Sequence, residues 1–276
     1  MKKLLTAVLC ALCFGLFSCQ KEVSDIFKAS GSNGGGVRLL KRTVLRQGQD
    51  SSATDYFYNS SGKLIAVKTK IDSSGSVDTN DQTIERNSQG FVQRIITKAS
   101  QFSQLGIDSL VINVRSSGGK YLNRVWKINF FGLSFGDSTA FYYDASGKIT
   151  SQKDYLDDGI GDIDSSRIDY FYIGSNLSSL KGYDLNSGSS SPDLTQVFEY
   201  DSKPSPLVVG NEGFILNNFY QWVSANNLTK VTVNVAGDPD THIQTWDYIY
   251  NSVNKPLSAN IVQDGQAGIT NIYYYN

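Results

Sequence analysis

Tyr56-Phe57-Tyr58-Asn59-Ser60-Ser61-Gly62-Lys63-Leu64 and Phe141-Tyr142-Tyr143-Asp144-Ala145-Ser146-Gly147-Lys148-Ile149 are nearly interchangeable. Each sets alternating aromatics ahead of an Asx-x-x-Gly turn and then begins a second apolar run. Alternation of that kind is the mark of a half-buried strand, and the turn residues close a hairpin. Weaker copies stand at Phe198-Glu199-Tyr200-Asp201, at Tyr248-Ile249-Tyr250-Asn251 with Asn254-Lys255, and at Tyr273-Tyr274-Tyr275-Asn276. Tyr170-Phe171-Tyr172 and Tyr220-Gln221-Trp222 keep the aromatics and lose the Asx.

With the first turn residue as marker, the series runs Asn59, Asn87, Ser116, Asp144, Ile173, Asp201, Val223, Asn251 and Asn276, in steps of 28, 29, 28, 29, 28, 22, 28 and 25. Three residues after most markers stands Gly or Asn: Gly62, Gly90, Gly119, Gly147, Asn176, Asn226 and Asn254. These residues tolerate φ > 0 in a short hairpin loop. Each repeat of about 28 residues is therefore a strand, a tight turn, a second strand and a longer polar loop. The spacing predicts an all-β, long antiparallel up-and-down meander of about sixteen strands from about nine repeats, curled or barrel-like. Ile65, Val67, Thr69 and Ile71 are assigned to one face and Leu64, Ala66, Lys68 and Lys70 to the other. Ile168, Tyr170 and Tyr172 are set against Arg167, Asp169 and Phe171.

Composition agrees. The chain has 276 residues, and its 26 acidic residues include only four glutamates, Glu22, Glu85, Glu199 and Glu212. Helix formers are scarce where turn and strand formers abound. A net charge of −1 offers no footprint for nucleic acid, and no run of the sequence forms a polybasic patch for anionic lipid.

The amino terminus sets the compartment. Lys2 and Lys3 precede an apolar run, Leu4 to Phe17, too short for a permanent span and of signal-peptide length. Leu16-Phe17-Ser18-Cys19 resembles the lipobox of exported lipoproteins, which makes Cys19 the acylated residue and residues 1–18 the cleaved signal. Residues 19–36, rich in Gly, Ser and Asn towards their end, read as a flexible tether, and residues 37–276 as a single repeat domain. An irregular insertion at 203–218, with Pro204, Pro206 and the apolar Phe214-Ile215-Leu216, reads as a loop with one or two helical turns covering an open end of the sheet.

The aromatic-x-Tyr-Asp-x-x-Gly-Lys repeats resemble the tyrosine-aspartate repeats of Rhs and teneurin shells. The chain after the tether resembles lipoproteins of the Bacteroidota that carry a domain of unknown function described as a porin-like β-meander. Asp201-Ser202-Lys203-Pro204-Ser205-Pro206 and Asn226-Asn227-Leu228-Thr229-Lys230 share in that likeness. The resemblance implies an outer-membrane location. Gln20-Lys21-Glu22 would then be a surface-export signal, and no catalytic residues come with the likeness. Lys68, Lys70, Arg94, Lys98, Arg167 and Asp169, on the less apolar strand faces, favour a water-soluble sheet or barrel tethered by lipid over one that spans the bilayer, since Lys or Arg facing lipid near its midplane costs about 2–4 kcal/mol.

Candidate sites are few. Asp157, Asp158, Asp162 and Asp164 cluster among glycines and offer hard oxygen ligands for Ca²⁺, although the same residues suit a solvated hairpin loop. Trp126, Trp222 and Trp246 are candidates for a stacking platform for sugar rings, or for cross-strand packing. His242 is the only histidine, which excludes multi-histidine zinc sites, and no G-x-S-x-G elbow accompanies it. The expectation is a non-catalytic binding or scaffold lipoprotein of the envelope, with a glycan or an envelope protein as ligand. The alternatives are a glycan hydrolase using paired carboxylates such as Asp157 and Asp162, and a purely structural envelope protein.

Overall fold

The computed structural model describes residues 38–46, 51–73, 76–157, 159, 163–216 and 222–276, except 131–132. Cys19, the signal and tether assignments, Asp158 and Asp162 lie outside the described residues. The strands are β1 (Leu39–Arg46), β2 (Ser51–Tyr58), β3 (Leu64–Ser73), β4 (Ser76–Arg86), β5 (Val92–Ala99), β6 (Leu110–Ser117), β7 (Lys120–Phe130) and β8 (Leu133–Tyr143). There follow β9 (Ile149–Asp157), β10 (Ile163–Ile173), β11 (Asn176–Asp184), β12 (Leu194–Pro204), β13 (Asn226–Val235), β14 (His242–Tyr250), β15 (Pro256–Gln263) and β16 (Gln266–Tyr275). Each pairs antiparallel with its chain neighbours, and β1 pairs with β16, so the meander closes into a barrel within residues 38–276.

The tight turns gather at one end. Asn59, Asn87, Asp144 and Asn251 each donate a backbone N–H to the carbonyl four residues on. The side-chain oxygen of each accepts the N–H of that same residue, at 2.8 Å from Lys63, 3.0 Å from Phe91, 3.0 Å from Lys148 and 2.9 Å from Lys255. The left-handed residue these turns need is Gly62, Gly90, Gly147 or Asn254, with φ between 59° and 84°. At the β10–β11 turn Gly174 takes the positive φ instead, and Asn176 is the first strand residue.

Just past each turn the second strand carries a β-bulge. The unpaired residues are Ile65, Gln93, Leu122, Thr150, Ser178, Thr229 and Leu257, and Leu40 where β1 meets β16. A bulge strands a backbone carbonyl, and the repeat's aromatics supply the donor. Tyr58, Tyr143, Tyr172, Tyr248 and Tyr275 donate their hydroxyls to the carbonyls of Leu39, Tyr121, Ile149, Leu228 and Pro256, at 2.8–2.9 Å. In the second hairpin Arg86 stands in the tyrosine's place and donates to Leu64 O. The bulge also changes the facing expected from simple alternation: Leu64 turns inward with Val67, and both are buried, because Ile65 drops out of the pairing.

Inward positions form a continuous apolar core, including Tyr56, Ile95, Ile112, Phe141, Tyr170, Phe198, Trp246 and Tyr273. The segment between β12 and β13 completes it. Its short helix α2 (Glu212–Ile215) follows α1 (Ser100–Gln104), which lies in the β5–β6 loop. Leu207, Phe214, Ile215, Leu216, Trp222 and Val223 are all buried. Phe214 packs on Tyr170 at 4.6 Å between ring centroids and Trp222 on Tyr56 at 5.9 Å, so the insert is a plug held inside the turn end. Markers Asp201 and Val223 thus belong to one hairpin opened by the plug, and the nine markers make eight hairpins.

Candidate functional site

The plug is fixed by charge as well as by packing. Arg86 forms a two-pronged ion pair with Glu212, 2.8 Å on each prong, with side chains 7% and 16% exposed. Tyr121 donates its hydroxyl to the same carboxylate at 3.1 Å, and Asn211 donates its amide to Gly147 O at 2.8 Å. Arg124, buried on β7, donates to the carbonyls of Phe214 and Ile215.

Arg124 also begins a polar relay on the inner face. It donates from Nε to Thr139 Oγ1, and Thr139 donates to Asp154 Oδ1 at 2.6 Å. Gln152 donates to Asp154 Oδ2, and Tyr170 donates to Gln152 Oε1. Asp137 lies one inward position from Thr139 on β8. Burial pushes its carboxyl up to about 6, while Arg124 and a hydrogen bond from Trp126 pull the other way, and its Oδ1 is buried without a hydrogen-bond partner. Asp137 and Asp154 are inward carboxylates on neighbouring strands that sequence reasoning missed, because facing in a bulged barrel is not local. Thr139 is 0% and Gln152 3% exposed, so these partners of Asp154 sit in the packed wall. The relay satisfies buried groups and anchors the plug.

Among the described residues, the predicted site residues do not converge. Asp157 faces outward, opposite Ile163 and Gly136, and accepts the Gly159 N–H, whereas Asp164 faces inward opposite Leu156 and accepts from Asn186. No group of three His, Cys, Asp or Glu able to hold a metal occurs among the described residues. Trp222 and Trp246 are buried and line an interior cavity of about 30 Å³ with Arg42, Tyr56 and Tyr248. That space suits roughly one or two waters, against about 300–1,000 Å³ for a small-molecule pocket. Trp126 lies on β7, half-buried and apart from that cavity. Neither Trp222 nor Trp246 offers a ring face to a sugar. His242 is exposed and joined at 3.2 Å to both Asp238 and Asp264, which raise its pKa, so it ties the β13–β14 loop to the β15–β16 turn.

The outer wall carries charge at mid-strand, between exposed apolar residues such as Tyr155 and Val197. One register row crosses five strands as Lys41, Asp55, Lys68, Asp81 and Lys98, and Arg94–Glu85, Lys230–Glu199 and Arg167–Asp169 pair on the same surface. Exposed pairs of this kind add little stability. Their position matters more than their energy, because an apolar band is what a lipid-facing barrel presents there.

No protein-family model matches the sequence, and no curated protein does. Among solved structures the barrel is similar to the crystal structure of a porin-like protein from Bacteroides uniformis, at 12% identity and TM-score 0.54, covering 86% of this chain and 98% of that one. A porin-like protein from Bacteroides vulgatus aligns at 12% identity and TM-score 0.32, over 87% and 99% of the two chains. The first likeness establishes a shared fold.

Proposed function

We propose that the protein is a lipid-anchored barrel of the cell envelope, held to the outer membrane through Cys19 and working as a non-catalytic binding or scaffold module. The observation that carries this reading is the charge on the wall: Lys, Arg, Asp and Glu at mid-strand outside, and a packed core with a plug inside. Bacterial barrels that cross a membrane turn an apolar band outward, and porins of this size keep a wet lumen. Here at least five mid-strand Lys or Arg residues would each cost about 2–4 kcal/mol against lipid. The fold shared with a porin-like protein of Bacteroides supports an envelope setting, and the lipobox supplies the attachment that such a wall cannot. Recognition then falls to the exposed loops and outer wall, with a glycan or an envelope protein as ligand.

Two measurements test the reading together. The purified acylated protein, added to planar bilayers, should give no channel current. Crosslinking on intact cells and glycan-array screening of the mature protein should return a defined partner or ligand without turnover. Stepwise conductance, or hydrolysis of an arrayed glycan, would overturn it.

A further inference from the structure

The sequence shows no polybasic run, yet folding assembles one. Six of the eight hairpins place a cation at the turn end: Arg38, Lys63, Lys120, Lys148, Lys203 and Lys255. Separated in the chain, they meet as a collar around one rim. Five lie over aromatic rings, Arg38 on Tyr58, Lys63 on Phe91, Lys120 on Tyr143, Lys148 on Tyr172 and Lys203 on Tyr250, at 5.0–6.0 Å. Lys63, Lys148 and Lys255 also donate to carbonyls of neighbouring turns or of the plug, Gly90, Gly174 and Ser205. The ammonium groups are thereby held at the rim rather than folded back on the wall. The acidic groups at this rim are Asp144 and Asp201; Glu85 and Glu199, just below it, pair with Arg94 and Lys230, and Glu212 is spent on Arg86.

Just below the collar the middle residue of each aromatic triplet faces outward, and Phe57, Tyr142, Phe171 and Ile249 are 43–60% exposed. Exposed apolar residues also occur at the opposite rim, Val77 and Ile163 among them. That rim, however, carries Asp72, Asp108, Asp157, Asp184, Asp238 and Asp264. Charge therefore distinguishes the two ends where apolar exposure does not. The chain enters the barrel at Arg38, on the cationic rim.

We propose that the turn-end rim docks on an anionic phospholipid surface, with the plugged end towards the bilayer and the acidic loops projecting away. The inference rests on the lipid-anchored reading for its setting: between Cys19 and Arg38 the chain spans at most about 65 Å, which keeps the collar near the membrane. Clustered Lys and Arg are attracted to anionic lipid, and exposed aromatics settle at headgroup level.

The test uses the mature chain with Cys19→Ser, so that acylation plays no part. It should co-sediment with phosphatidylcholine vesicles containing about a third phosphatidylglycerol, weakly or not at all with pure phosphatidylcholine, and less as salt rises. Lys63→Gln, Lys148→Gln and Lys255→Gln should weaken partitioning by about fivefold per charge removed. The Lys→Arg versions should restore it, and Lys68→Gln with Lys98→Gln on the wall should leave it unchanged. A thermal melt of each variant separates loss of charge from loss of fold. Equal binding to neutral vesicles, no binding to anionic ones, or equal loss in the wall variants would overturn the proposal. Failure of the anchor itself would show separately, as absence of Cys19-dependent palmitate labelling of the full chain.

Discussion

At the scale of single residues, the repeat is explained by a hydroxyl. Tyr143 donates to Tyr121 O and accepts from Tyr121 N, both at 2.9 Å, and burial pushes its pKa up to about 12. Tyr143→Phe keeps the ring and strands both backbone groups, so it should cost about 1–3 kcal/mol in urea unfolding. A loss no larger than that of an exposed Tyr155→Phe control would show that water replaces the hydroxyl. Asp137 gives the second residue-scale prediction. Its pKa of about 6 lies above the ordinary aspartate value of 3.8, so between those values the folded state holds a proton that the unfolded chain has released. Stability should then fall as pH rises from about 4 to 6, by an amount on the order of 2–3 kcal/mol. Asp137→Asn should flatten that slope and stabilise the protein at pH 7; an unchanged slope in the urea midpoints would reject the assignment. Alternation and turn chemistry around Asn59 and Asp144 were legible in the sequence. The inward turn of Leu64 and the substitution of Arg86 for a tyrosine were not, because both depend on a bulge whose extra residue, Ile65 or Gln93, carries no distinctive side chain.

At the scale of elements, the described part of the plug is irregular and deeply buried. Pro204 and Pro206 mark where pairing ends, and Phe214-Ile215-Leu216 mark an apolar patch with somewhere to go. The local pattern cannot say that this patch enters a lumen, since a lumen exists only once β1 and β16 meet. Nor does it pick out Glu212 as the partner of an arginine 126 residues away. Glu212→Ala should cost about 3–5 kcal/mol, because it leaves the Arg86 guanidinium buried without its carboxylate. Glu212→Gln, which can still accept from Arg86 and Tyr121, should fall between that variant and the parent. Phe214→Ala, which empties the space against Tyr170, should cost a similar 3–5 kcal/mol. The two mechanisms separate in a double-mutant cycle with Arg86→Met: the Glu212 variants couple to it, and the cavity variant does not. Chemical denaturation of the single and double variants decides between them, and equal small losses in all three variants would mean that the plug is not coupled to barrel stability.

At the scale of the molecule, the start of β1 and the end of β16 rebuild the repeat's own turn. Asn276 N donates to Arg38 O at 3.3 Å and Arg38 N donates to Asn276 Oδ1 at 2.7 Å, the same two bonds that join Asn59 to Lys63. The eighth hairpin therefore lacks only its three loop residues. The period of about 28 predicted both the strand number and the terminal Tyr273-Tyr274-Tyr275-Asn276 as a copy of the motif. It could not predict closure, because a curled sheet and a barrel share every local contact except those between β1 and β16. That equivalence makes a test. Joining Asn276 to Arg38 through Ser-Ser-Gly, and opening the chain instead in the exposed loop at Gly188-Ser189, moves the termini to the other rim while preserving every strand pair. If the terminal contact is a true repeat turn, the permuted chain from Arg38 round to its new ends should fold with an unchanged near-UV spectrum. Its stability should lie within about 1 kcal/mol of the parent or above it, since a short closed loop costs less entropy than bringing together two strands with no short link between them. Removing Tyr273 to Asn276 from the parent should do the opposite. It strips the Tyr275 hydroxyl from Pro256 O and the buried Tyr273 ring from the core, and it unzips one end of the β1–β16 seam. A permutant that fails to fold, beside a truncated parent that folds normally, would show that the seam is an incidental contact and that the sheet holds its curvature without it.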